Sequence, residues 1–114
     1  MMTAKHVLNS QSLLQTILLL DDYLEYKREQ GWSDNCFTYR GLQYHLFYRY
    51  QNKKNVQWHT VERTLRKLAE EKLLRRIEFK KKKRVLFCLT PELKGLIREV
   101  QQLRQEIILE GARR

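Results

Sequence analysis

Read for polarity alone, the chain alternates between stripes of apolar residues and polar breaks. The cleanest stripe lies in Gln57–Leu74, where Val61, Leu65 and Leu68 recur at 4, 3 spacing, with Leu73 and Leu74 just beyond. That period turns one greasy side of a helix inward, and predicts a helix over 56–72. Its other side carries His59, Glu62, Arg63, Arg66 and Lys67. The period then drops to two. Ile77 and Phe79 alternate with Arg76 and Glu78, and Val85, Phe87 and Leu89 share one face, so 75–90 reads as a hairpin with a basic tip, Lys80–Arg84.

Three further helices are predicted. Asn9 or Ser10 can cap a first helix over 9–30, which Gly31 ends. Leu13, Leu14, Ile17, Leu18, Leu20 and Leu24 make its apolar face wider than one core contact needs. Such a face meets either a second subunit or two sides of the same core. Thr38 can cap a helix over 38–51 whose inner face is Leu42, Leu46, Phe47 and Tyr50. Tyr39, Tyr44 and Tyr48 are surplus to that face and are interleaved with Arg40 and Arg49. Aromatics so placed either stack on unpaired bases or complete a core or dimer contact, the reading that helical spacing favours. Gln51–Asn55 is a turn, and Trp32–Phe37 is a loop with a possible short strand at Cys36-Phe37. Thr90 and Pro91 start a last helix over 91–110. There Leu93, Leu96, Val100, Leu103 and Ile107 repeat at 3, 4, 3, 4, widened by Ile97, Ile108 and Leu109, as in a dimer seam. The fold class is therefore mainly α with a small antiparallel β-hairpin (α+β), and 1–114 reads as one domain.

Charge sharpens this picture through its placement. The formal net charge is +10. Residues 51–84 hold 13 Lys/Arg against 4 Glu, residues 1–50 hold 5 against 5, and residues 85–114 hold 5 against 4. Nearly the whole excess falls on one helix and the hairpin after it, which favours a polyanionic partner over a merely solvated face.

Residues 56–77 and 85–92 resemble the MarR/PadR type of winged helix-turn-helix regulators. The matching run is Thr60-Val61, Arg63, Leu65, Leu68, Glu70-Glu71 and Leu73, closing on Leu89-Thr90-Pro91-Glu92. Lys72 stands where these proteins usually have Gly, so a blunter helix stop is expected. Gln57 replaces the usual Ser or Thr cap, with Asn55 the nearest substitute. The resemblance implies a winged helix-turn-helix with a long C-terminal dimerisation helix, and a strand at Cys36-Phe37 paired with the wing. It further implies a homodimer bound to double-stranded DNA, probing successive major grooves.

Each candidate residue then has a task. Arg63 and Arg66, one turn apart, can offer paired donors to guanine. Gln57 and His59 lie near the tip that enters the groove, and Lys67 follows them. Glu62 either accepts from a cytosine amino group or pairs with Arg66 at i, i+4, the favoured reading. Trp58 falls at the core edge. Lys53 and Lys54 in the turn, and Lys80, Lys81, Lys82, Lys83 and Arg84 in the wing, would meet phosphates. Leu93, Leu96, Val100, Leu103 and Ile107 would form the dimer interface.

Catalytic chemistry finds no footing. There is no phosphate-cradling glycine loop, and His6, His45, His59, Cys36 and Cys88 lack metal-ligand spacing. No cofactor is implied, and no effector pocket can be read. The N-terminus lacks a signal-peptide core, and the run Leu13–Leu20 is too short to span a bilayer. A Cys36 strand paired with the wing strand would bring the Cys36 and Cys88 sulfurs close enough to bridge, but a cytoplasmic protein argues for free thiols, and these are the expectation. Three functions fit: a transcriptional regulator, a DNA-binding module of a plasmid or viral replication or maintenance complex, and a protein-interaction winged helix.

Overall fold

The computed structural model describes residues 2–112. Among them the chain is mainly helical with one small antiparallel sheet. A short helix absent from the polarity pattern comes first, α1 (Ala4–Leu8), with the Thr3 side chain accepting from the His6 N–H. Next, α2 (Gln11–Glu29) is capped by Ser10, whose Oγ accepts from the Leu13 N–H at 3.4 Å. Gly31, at φ +85°, ends it as expected. The left-handed turn lets the Trp32 N–H reach back to the Lys27 carbonyl at 2.8 Å.

The breadth of the α2 apolar face is absorbed within the chain. Leu13, Ile17, Leu19 and Leu20 are buried and Leu14, Leu18 and Leu24 half-buried, because α2 packs against α1, α3 and α4. Lys27 is buried too. Its ammonium pairs with Asp34 and donates to the Cys36 carbonyl, fastening the loop after α2 to the sheet. The hydrogen bond from Lys27 to Asp34 holds the Asp34 carboxyl pKa below the ordinary range.

The sheet has strand order β1-β3-β2, with β1 (Cys36–Phe37), β2 (Leu74–Phe79) and β3 (Arg84–Leu89). Register runs from Leu74↔Leu89 to Phe79↔Arg84 on one side of β3, and through Cys36↔Cys88 and Phe37↔Phe87 on the other. Directly opposed, Cys36 and Cys88 form a disulfide, with Cα atoms 4.0 Å apart. The expectation of free thiols is thereby overturned. It rested on compartment alone, whereas strand register places the two sulfurs within bonding reach.

Thr38 caps α3 (Tyr39–Tyr48), accepting from the Gly41 N–H at 3.0 Å. Gly41 lets α3 approach α2, since a Cβ there would lie 2.7 Å from the Tyr23 hydroxyl. The buried stripe is Leu42, His45 and Leu46 rather than one that includes Phe47, which is exposed. Tyr50 lies beyond the helix end, yet folds back into the core through its N–H to the His45 carbonyl at 2.8 Å.

After the turn comes α4 (Trp58–Glu70), which buries Val61, Thr64, Leu65 and Leu68. No side chain caps its start at Gln57. Asn55 instead takes a left-handed conformation, φ +68°, and reverses the chain. At the other end Lys72, φ +63°, performs the glycine role, and the Leu73 N–H reaches the Leu68 carbonyl at 2.9 Å. The stop is therefore as sharp as a glycine would make it.

The last helix, α5 (Pro91–Ala112), has two unlike parts. Leu93, Leu96, Ile97 and Val100 are buried in the chain's own core, and Leu103 is half-buried. Ile107, Ile108 and Leu109 are exposed. The expected seam thus does not run as one free stripe. Its first three members pack inward, because α1 lies against α5.

Candidate nucleic-acid interface

The cationic residues stand where the elements leave them no apolar contact. His59, Arg63, Arg66 and Lys67 are all exposed on α4. Their outward direction follows from the opposite stripe, in which Val61, Leu65 and Leu68 are within a percent of complete burial. Trp58 sits at the core edge as expected, half-buried and edge-on to Tyr39 with ring centroids 6.1 Å apart. The Tyr39 hydroxyl is raised by burial, with the nearby Arg66 pulling it the other way.

Glu62 and Arg66 do not form the expected i, i+4 pair. Among the described residues the ion pairs are Lys27–Asp34, Arg28–Glu25, His45–Asp22 and Arg76–Glu78. The Arg66 guanidinium therefore keeps all its donors available to a partner.

The turn before α4 carries Lys53 and Lys54, both exposed, and Gln57 is exposed at the helix start. The Lys53 ammonium donates to the Phe47 carbonyl at 3.0 Å, which satisfies a backbone acceptor in the last turn of α3. In the hairpin, Lys80–Lys83 form the link between β2 and β3, and all of Lys80–Arg84 are exposed. Lys83 takes φ +46°, so the reversal is made without a glycine. Arg75 is a further exposed cation outside the candidate set, although its place directly after buried Leu74, the first residue of β2, puts it in the same unit.

The other cluster of polar chemistry is internal. His45 is buried, and its Nδ1 accepts from the Arg49 Nε–H at 3.0 Å. Arg can only donate, so the His45 proton is on Nε2, which donates to Asp22 at 2.7 Å. Arg49 also donates to the Tyr26 hydroxyl at 3.2 Å and lies over that ring at 3.9 Å. Burial holds the His45 pKa below its ordinary value. The Asp22 carboxylate opposes that shift, and the Arg49 charge reinforces it. The cluster joins α2 to α3 by fully satisfied hydrogen bonds. The i, i+4 spacing of His45 and Arg49 was its one sequence signal.

Among the described residues no three His, Cys, Asp or Glu side chains gather as a metal site. No helix among them is long and apolar enough to cross a membrane. Comparison with family models, curated proteins and solved structures finds no significant match to this chain.

Proposed function

We propose that this chain is a winged helix-turn-helix protein that binds double-stranded DNA sequence-specifically as a homodimer, and that it regulates transcription without catalysing a reaction. The observation that carries this reading is the division of α4: a fully buried apolar stripe, and an outer face of His59, Arg63, Arg66 and Lys67 with no acidic partner paired to them among the described residues. In this reading α4 lies in the major groove and α3, the turn and α4 make the helix-turn-helix. Arg63 and Arg66 read guanine edges through paired donors. Lys53, Lys54 and Lys80–Arg84 meet phosphates, which position the protein without carrying sequence information. Dimerisation falls to Leu103, Ile107, Ile108 and Leu109, since the seam residues before them are already covered. Two-fold symmetry would then set the reading helices about one DNA turn apart.

A duplex titration on a site selected from random sequences tests this. If each subunit neutralises about four phosphates, the log–log salt slope is about −7. Arg63→Ala or Arg66→Ala costs about 1–3 kcal/mol on the selected site and little on random duplex, whereas Lys81→Ala with Lys82→Ala weakens both alike and flattens the slope. Ile107→Glu with Leu109→Glu yields a monomer by sedimentation with weakened specific binding. A salt-insensitive affinity refutes duplex binding, and one pattern for both cation sets refutes the split between reader and wing.

A further inference from the structure

The outer face of α3 gathers aromatic rings that the core does not cover. Tyr44, Phe47 and Tyr48 stand at i, i+3 and i+4, so they share one helix face, and they are 54%, 45% and 71% exposed. Tyr44 and Tyr48 have ring centroids 4.7 Å apart and tilted by 41°. Arg40, exposed and one turn before Tyr44, continues the strip at one end. Lys53 is held at the other by its bond to the Phe47 carbonyl, and the Arg49 guanidinium lies 5.2 Å from the Tyr44 ring centre. Three neighbouring rings left in water are a patch that needs an occupant.

Charge selects which occupant. Residues 35–61 contain four Lys/Arg and no Asp or Glu. A partner suited to this strip must offer flat apolar faces and negative charge together. Unpaired nucleotides do so: each base presents a π-face and each linkage a phosphate. Stacked bases inside a duplex cannot, because their faces are already taken.

We infer that Arg40, Tyr44, Phe47 and Tyr48 form a stacking platform for single-stranded nucleic acid, a second contact that adjoins the duplex surface proposed for the turn, α4 and the hairpin and shares Lys53 with it at their border. Bases lie against the rings, and the cations at both ends of the strip hold the backbone. The contact is tolerant of sequence, since every base has a face to stack. A protein using both surfaces could hold a duplex beside an opened or unpaired strand.

The test is fluorescence anisotropy of the full chain with labelled oligothymidylate of about 15 nucleotides, with an abasic oligomer of equal length, and with a duplex. Wild type binds oligothymidylate at least about ten-fold more tightly than the abasic oligomer, given about five-fold or more per stacked base. Tyr44→Ala with Tyr48→Ala removes that preference and leaves duplex affinity unchanged, while Tyr44→Phe with Tyr48→Phe retains it. Both pairs are exposed, and a thermal melt confirms that each variant is folded. Equal affinity for base-bearing and abasic strands overturns the inference, as does an unaffected alanine pair. Loss of self-association by the alanine pair, with single-strand affinity intact, overturns it in favour of a contact between copies. If wild type prefers oligothymidylate but ignores duplex, the platform stands and the α4 reading falls.

Discussion

Two helices of this chain solve the same problem inside and opposite problems outside. α3 and α4 each bury a stripe in one shared core, Leu42 and Leu46 from the first, Val61, Leu65 and Leu68 from the second. Outward, α4 shows Arg63, Arg66 and Lys67, whereas α3 shows Tyr44, Phe47 and Tyr48. Core packing dictates the inner residues of both, so those say little about purpose. The outer residues are under no packing demand, and their chemistry reports what each helix meets. Exposed arginines cost nothing in water and can wait for phosphates and base edges. Exposed aromatic rings do not rest easily in water, and so point to a partner of a different kind.

The comparison is broken most strongly from inside. Leu46→Ala and Leu65→Ala each remove a completely buried side chain, and each should lose about 2–5 kcal/mol of stability by denaturant unfolding. If the two inner faces are equivalent anchors, the losses agree within that range. A far smaller loss for Leu46 would mean that α3 is docked through its outer face rather than its inner one.

A covalent link between the two helices' surroundings comes next. The disulfide joins β1, which leads into α3, to β3 of the hairpin that follows α4, across a sequence separation of 52. Closing a loop of that size restricts the unfolded chain, and Cys88→Ser should cost about 2–4 kcal/mol. Reduction of the wild-type protein should match the variant. Thiol counting on the unfolded, unreduced protein should find none, and two reactive thiols would remove the bridge from this account.

The smallest expected effect belongs to the one buried histidine of α3. His45 is buried on α3 and its pKa is lowered by burial. The native state therefore resists protonation that the unfolded chain accepts. Its contribution is fully present above the unfolded value of about 6.5 and is lost as pH falls below it toward the lower native value. Protonation would also set an N–H at Nδ1 against the Arg49 donor. Stability of wild type should thus drop between neutral and mildly acidic pH, and His45→Gln should flatten that drop. An unchanged profile in His45→Gln would refute the assignment.

How much of this was legible beforehand differs between the same two helices. α4 alternates apolar with charged residues, so only one phase of the helix can be buried, and Val61, Leu65 and Leu68 announced it. Along α3 both sides are apolar or aromatic. The stripe Leu42, His45, Leu46 and the stripe Tyr44, Phe47, Tyr48 have equal claims by periodicity, and Phe47 was placed on the wrong one. Contacts such as the Tyr23 approach at Gly41 and the His45–Asp22 bond settle the phase, and these are long-range. The caps Thr38 and Thr90 and the stop at Gly31 act through immediate neighbours, so they could be read. Asn55, Lys72 and Lys83 adopt left-handed conformations that their residue types do not demand, so the chain's reversals there are imposed by the elements they join. α5 looked like one continuous seam because periodicity records which residues are apolar, not where the core ends.

The Cys36–Cys88 bridge also turns part of the chain into a ring. Inside it lie the whole of α3, α4 and the lysine-rich link between β2 and β3. That link and the turn at 51–55 are exposed and basic, the kind of site a trypsin-like protease prefers. A cut at either place opens the ring but sets no fragment free. The nicked molecule would keep its pieces tethered, gain the mass of one water, and come apart only when a reductant is added. For such a protein an intact band on a non-reducing gel is no proof of an intact backbone.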